Sequence, residues 1–486
     1  MSRAQGGLGR LAGDTAVYGL ADAVGKGLSL ILFPIFTRIF TPREYGVMEV
    51  IGTVTLLISA VLVLGLDNAT TRHYYGAENR SRGDVVLGSA LAFSLTVYFG
   101  GTVPLLFASR WIAATVFGTD EYRRAMFVAL FAVPFVLLVN FSLNTLRRVF
   151  RPWSFAGLSL AWLGLTISLN LLLVWRLRWG VEGTYYANLI AGTVMAGAGI
   201  LCTRRHYRWA WDGRLIVSLL RYGIPLVPAS LCLWGLSVMD RFFLVHYSTL
   251  TDVGLYSTAN RLTSILAFGV GAFQMAWGPF AFAISDERHA RTTYSRTLSY
   301  YMAAGGLAVL LLSLFAREAL QVLTPPGYHR AAVAVAPLAL AVLAYGAYTL
   351  VAIGVNLANR TSQVSITLAA AVVINLALNF LLIPRFGMVG AAYATAAGWA
   401  ASAGFLFVAS QRAYWIPYDG TLLSRMLALL LTCLGFGLIV GGDAEPSVSR
   451  VVLKGLAVIV FLVGLKMLGV VPTTVWVSLR PAREAP

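Results

Sequence analysis

AAVAVAPLALAVLAYGAYTLVAIGV, residues 331–355, contains no charged side chain, and Thr349 with Tyr345 and Tyr348 are its only polar groups. An α-helix rises about 1.5 Å per residue, so roughly 20 residues cross a hydrocarbon layer of about 30 Å with every backbone amide bonded internally. The stretch is long enough to do so. Toward the C-terminus, runs of the same kind occupy 364–383, 388–409, 426–441 and 451–470. Toward the N-terminus they occupy 298–316, 254–284, 217–247, 181–202, 155–175, 125–145, 85–107, 47–67 and 16–36. A lipid-facing β-barrel is built from short alternating strands, whereas these runs are continuous. The expected fold is therefore an all-α integral membrane protein of about 14 transmembrane helices.

Composition agrees, with 58% hydrophobic residues, 12% charged and a mean hydropathy of +0.76. A soluble domain is roughly half apolar and about a quarter charged. The net charge of +17 would suggest nucleic acid on a soluble basic domain, but no segment between the runs is long enough to fold alone, so no nucleic-acid partner is expected. The arginines fall on alternate connections: Arg3 and Arg10, then Arg80 and Arg82, then Arg147, Arg148 and Arg151, then Arg204, Arg205 and Arg208, and so on to Arg480 and Arg483. This bias orients both termini to the cytoplasm of a bacterial-type inner (plasma) membrane. The opening MSRAQGGLGRLAGDTAVYG is basic, but Asp14, Asp22 and Lys26 interrupt the apolar core that a cleavable signal keeps, so it reads as a retained lead. Cys202, Cys232 and Cys433 lie in or beside the runs and read as small packing residues. No cofactor is expected, and the sequence leaves any coupling cation unnamed.

An internal repeat sets the organisation. Thr41-Pro42-Arg43-Glu44-Tyr45-Gly46 is echoed 208 residues on by Thr249-Leu250-Thr251-Asp252-Val253-Gly254. Phe117-Gly118-Thr119-Asp120-Glu121-Tyr122 is echoed at 206 by Leu323-Thr324-Pro325-Pro326-Gly327-Tyr328, and Arg178-Trp179-Gly180 at 207 by Arg385-Phe386-Gly387. Three echoes in order at nearly one offset imply two parallel six-helix repeats related by an axis along the membrane normal, as in one class of secondary transporter. The expected divisions are an N-terminal bundle 1–210, a second bundle 211–412, and two further helices with a tail, 413–486.

Several stretches resemble one family. They are Phe33-Pro34 to Arg38 with Phe40 to Gly46, Gly65-Leu66-Asp67-Asn68 to Arg72-His73-Tyr74-Tyr75, and Asp240-Arg241-Phe242-Phe243 leading to Val253-Gly254-Leu255-Tyr256-Ser257-Thr258-Ala259. Together they resemble the polysaccharide and oligosaccharide flippases of the multidrug/oligosaccharidyl-lipid/polysaccharide exporter superfamily. The resemblance implies two six-helix bundles around a cationic central cavity, and transfer of undecaprenyl-pyrophosphate-linked oligosaccharide from the inner to the outer leaflet. Bilayer lipids and glycan polymerisation machinery are the other partners it implies. A drug or small-solute exporter of the same superfamily is one alternative. A membrane glycosyltransferase or polymerase is another, but an enzyme of that class needs a sizeable extramembrane pocket with placed carboxylates or histidines, and here the connections are short.

Ionisable residues inside a span are expensive unless they face protein or water, so they are the candidate substrate-binding groups. Asp22 and Lys26, four apart on the first helix, share a face and either pair with each other or serve a diphosphate headgroup. Asp240 and Arg241 stand late in the seventh span, and Arg261 stands in the eighth. Arg241 and Arg261 either line the cavity or snorkel to the interface. Asn68 and Arg72, one turn apart in the second span, either capture phosphate or anchor the helix. Asn375 and Asn379 favour interhelical hydrogen bonding over sugar contact. Pro225 and Pro228 predict a kink, and Gly437 with Gly441 predicts a closely packed helix face.

Overall fold

The computed structural model describes residues 17–19, 24–25, 27, 32–77, 80–360, 362–441 and 448–470. Among them eleven helices are long and apolar enough to cross a membrane, and no strand occurs. Part of the first expected span, including Asp22 and Lys26, lies outside the described residues. The helix Ser362–Ala413 holds two expected runs, broken at Gly387 where φ is 53° and ψ is −131°. Compactness divides the chain into residues 1–254 and 255–486.

In the first unit, α1 (Pro42–Leu62) and α2 (Leu66–Tyr75) are followed by α3 (Arg80–Phe107), α4 (Arg123–Arg148) and α5 (Pro152–Asn170). The fifth span ends in a π-helical turn, Leu171–Arg176, before α6 (Gly180–Thr203). The seventh span is not one helix. It runs as α7 (Gly213–Gly223), a 3-10 turn at Ile224–Leu226, α8 (Val227–Val238) and α9 (Asp240–Tyr247), so Pro225 and Pro228 mark a break as expected. Helix α4 is the centre of the unit, with Leu130, Val133, Leu137 and Phe141 buried among the surrounding helices.

The repeated motif at Thr41 is a helix start. Thr41 and Glu44 form a reciprocal capping box, with Pro42 in the first turn. Its echo starts the long helix α10 (Leu250–Ala283), where the Asp252 backbone N–H donates to the Thr249 hydroxyl at 3.1 Å. The glycine that closes each motif has a packing role. A Cβ on Gly46 would stand 2.0 Å from the Leu250 carbonyl oxygen, and one on Gly254 would stand 1.8 Å from that of Pro42. Only glycine lets these two helix starts cross so closely.

The second unit contains most of α10, then α11 (Ala290–Leu314), a short helix α12 (Ala316–Leu323), α13 (Ala332–Leu357), α14 (Ser362–Ala413), α15 (Gly420–Gly441) and α16 (Val448–Met467). Helix α13 holds the same central place as α4 in the first unit, with Val335, Leu338, Leu343 and Val351 buried. The last two helices share a core with α11: Leu430, Cys433, Phe461 and Leu465 meet Val309, Leu310 and Leu314. Gly437 packs against Leu314, as its small-residue face predicts. Lipid tails are as apolar as leucine, so close contact and buried polar pairs, more than removal from water, hold such helices together. Asn379 donates to Asn375 at 3.1 Å, both buried, but the two stand one turn apart on α14, so this bond lies within one helix and is not the interhelical bond expected of them.

Candidate functional site

Helix α1 is pinned at both ends within the first unit. Gly46 fixes its start against Leu250, and beyond its end the chain turns through Leu64 and Gly65, both at positive φ. A Cβ on Gly65 would stand 2.2 Å from the Gly223 carbonyl oxygen, which locks that turn against the end of α7. Between these two crossings α1 carries Glu49, and the joint between α8 and α9 carries Asp240 and Arg241. Arg241 Nε lies 3.4 Å from Glu49 Oε2, and its Nη1 lies 3.5 Å from Asp240 Oδ1. The same Nη1 donates to the Ser237 carbonyl at 3.4 Å. The Arg241 side chain is only 6% exposed, so it forms a buried ion cluster and does not snorkel to a surface. These separations exceed the 2.7–2.9 Å of a tight charge-assisted bond.

The cluster borders a cavity of about 470 Å³. Glu49 and Arg241 form its charged part, and Thr53, Thr55, Ser59, Thr184, Asn188 and Trp162 supply hydroxyls, an amide and an indole along the wall. The Tyr185 hydroxyl donates to the Met48 carbonyl at 2.9 Å and steadies the turn that presents Glu49. Thr53, Thr55 and Ser59 donate their hydroxyl protons to carbonyls of α1 and so offer a ligand acceptor oxygens, Arg241 offers a cation, and Met48, Leu56, Val133 and Val136 make the rest of the wall apolar.

Glu49 was not among the residues the sequence singled out. It is an ionisable residue inside the expected span 47–67, the same signal that marked Asp240 and Arg241, but it stands so near the start of the run that it passes for an interfacial residue. Asn68 and Arg72 are exposed, and the Arg72 guanidinium lies over the Tyr222 ring at 4.5 Å. In their neighbourhood the buried cation is Arg148 at the end of α4. Its Nε donates to the Thr71 hydroxyl and its Nη2 to the Asp67 carbonyl, each at 2.9 Å. Arg148 thereby ties α4 to α2, and it organises the Asp67 to Arg72 stretch from within. Arg261 belongs to the second unit, half-buried on α10.

Solved structures share this multi-helix fold. The structure superposes on the lipid II flippase MurJ in an inward closed conformation with a TM-score of 0.75, over 93% of this chain and 98% of that one at 13% identity. A multidrug resistance MATE family transporter of the MOP superfamily, inward-facing, gives 0.67 over 82% of this chain and 93% of its own at 17% identity. At such identities the likeness is one of fold. A family model described as polysaccharide biosynthesis protein matches residues 35–333, and the chain belongs to that family. A protein of the Lsg locus of Haemophilus influenzae is 22% identical over 57% of this chain and 67% of its own length. The succinoglycan biosynthesis transport protein ExoT of Rhizobium meliloti is 25% identical over 49% of this chain and 47% of its own. The protein is thus a multi-pass membrane protein of the polysaccharide biosynthesis protein family.

Proposed function

We propose that the protein translocates an undecaprenyl-pyrophosphate-linked oligosaccharide from the inner to the outer leaflet of a bacterial-type inner membrane by alternating access, with both termini in the cytoplasm and no covalent step. The observation that carries this reading is the buried Arg241 cluster at the edge of a hydroxyl-lined cavity in a member of this family. Residues 1–210 and 211–412 act as the two moving bundles, with 413–486 riding on the second. The sugars lie against the hydroxyl and indole wall while the polyprenyl chain stays in lipid. Taking a diphosphate out of water without countercharge is prohibitive, so a guanidinium must replace part of its hydration.

The cluster sets a condition on that step. A diphosphate that reaches Arg241 takes the place of a carboxylate beside it. Glu49 is the more exposed carboxylate, at 23% against 3% for Asp240, and is the one that yields.

The test combines identification and turnover. Protein purified in mild detergent should retain a polyprenyl-diphosphate glycan that mass spectrometry identifies, and Arg241→Ala should lower both its retention and its flipping in proteoliposomes normalised for folded protein. Glu49→Gln should raise retention, since it removes the competing charge. Recovery of a drug-like solute in place of the lipid, or full flipping by Arg241→Ala, would overturn the proposal.

A further inference from the structure

The first unit holds a second cavity, about 750 Å³, between residues 35–40, the first turn of α1 and the end of the fifth span. Its walls are apolar, from Ile35, Ile39, Leu171 and Val174, and two exposed arginines, Arg38 and Arg178, border it beside Trp175. The one acidic residue among its lining, Glu44, is already engaged: its carboxylate accepts the Thr41 backbone N–H at 2.8 Å and the Thr41 hydroxyl at 2.9 Å. Neither arginine has an ion-pair partner among the described residues.

The local backbone is unusual where it presents these groups. Leu171–Arg176 is π-helical, a geometry that recurs at functional sites, and it turns Val174 and Trp175 to the cavity. Arg178 then adopts φ 55°, a left-handed conformation that disfavours a residue with a Cβ. The second repeat does not keep this arrangement. Arg385, the echo of Arg178, lies inside a helix with ordinary φ, and Leu382 replaces Trp175. The strained arginine and the tryptophan are thus specific to the first copy, and the repeat alone does not explain them.

Arginine and tryptophan at the end of an apolar span mark the depth of lipid headgroups. A pair of guanidiniums without carboxylate partners matches phosphate, and the isoleucine and leucine wall matches a hydrocarbon chain. We propose that this cavity binds the phosphate headgroup of a membrane lipid, with Arg38 and Arg178 on the phosphate and the chain against Ile35, Ile39 and Leu171. The shared chemistry fits either a resident anionic phospholipid or a polyprenyl diphosphate. The proposal stands apart from the translocation reading, because it is tested by binding without turnover.

Full-length protein in detergent is titrated with phosphatidylglycerol, undecaprenyl diphosphate, diacylglycerol and inorganic pyrophosphate, and binding is followed by native mass spectrometry. The phosphate lipids should bind and phosphate-free diacylglycerol should not. Tighter phosphatidylglycerol identifies a resident lipid, and tighter undecaprenyl diphosphate identifies the polyprenyl head. Arg178→Gly removes the guanidinium while suiting the left-handed backbone, so it should weaken lipid binding roughly tenfold with thermal stability retained or raised. Arg38→Gln should weaken it to a similar extent. Unchanged lipid affinity in both folded variants, diacylglycerol bound as well as the phosphate lipids, or pyrophosphate bound as tightly as they are would each overturn the assignment.

Discussion

The two units bury their charges in different ways. In the first, Arg241 sits beside two carboxylates, Glu49 and Asp240, at separations of 3.4 and 3.5 Å, and the group borders a cavity. In the second, Lys454 of α16 pairs one-to-one with Glu318 of α12, with the Phe315 ring 5.7 Å from the ammonium, inside the core shared by the last two helices. The first group stands at a cavity that a ligand can enter. The second is a single pair whose exposures, 7% and 24%, match the 6% and 23% of Arg241 and Glu49. Burial alone does not mark an intramembrane charge as functional; the adjoining cavity separates the two cases.

That contrast can be broken by variants. The largest effect is expected at Arg241. Arg241→Gln should reduce flipping per folded molecule at least a hundredfold, and Glu49→Gln with Arg241→Gln should regain thermal stability but not flipping. Recovery of both in the double variant would make the first cluster as structural as the second. Next in size is Lys454→Met, which leaves Glu318 in the core and should cost about 3 kcal/mol, at the lower end for a broken buried pair because Glu318 keeps some exposure. Adding Glu318→Gln should restore the melting temperature, with flipping per folded molecule unchanged throughout. A loss of flipping that persists in that double variant would place function in the second cluster as well.

The smallest effects sharpen the comparison of the repeats themselves. The turn after α4 and the turn after α13 close alike. Arg151 N–H donates to the Leu146 carbonyl at 2.9 Å and Arg360 N–H to that of Val355 at 3.0 Å, with Phe150 and Asn359 at φ 53° and 55° between them. One junction further on, Gly180 and Gly387 both take positive φ, at 59° and 53°, but Gly387 also has ψ −131°, where a Cβ is excluded. Gly387→Ala should therefore cost about 2 kcal/mol and Gly180→Ala about 1 kcal/mol, read from thermal melts. Equal costs would show that the two echoes share one conformation.

These turns also show how far the sequence reaches. Tyr45-Gly46 and Val253-Gly254 were visible as a repeat, and the structure gives the repeat its meaning: a capped helix start followed by a glycine that admits a neighbouring backbone. Arg148 read as one more basic residue on a cytoplasmic connection, yet it is buried at 4% exposure and binds α2 to α4. Glu49 gave the same signal as Asp240, but nothing in the sequence says that the two stand on either side of one guanidinium.

The sequence by itself determined that the chain is a set of apolar helices crossing a bilayer and that one half echoes the other. Those features are local: in lipid every backbone amide must bond within its own helix, so length, hydropathy and capping residues suffice. Tertiary structure alone decided which face of each helix meets a neighbour. Lipid-facing and buried faces are equally apolar, so hydropathy does not distinguish them. The choice rests on glycines such as Gly65 against Gly223, and on pairs such as Glu49 with Arg241, whose members lie far apart in the chain and are joined only by packing.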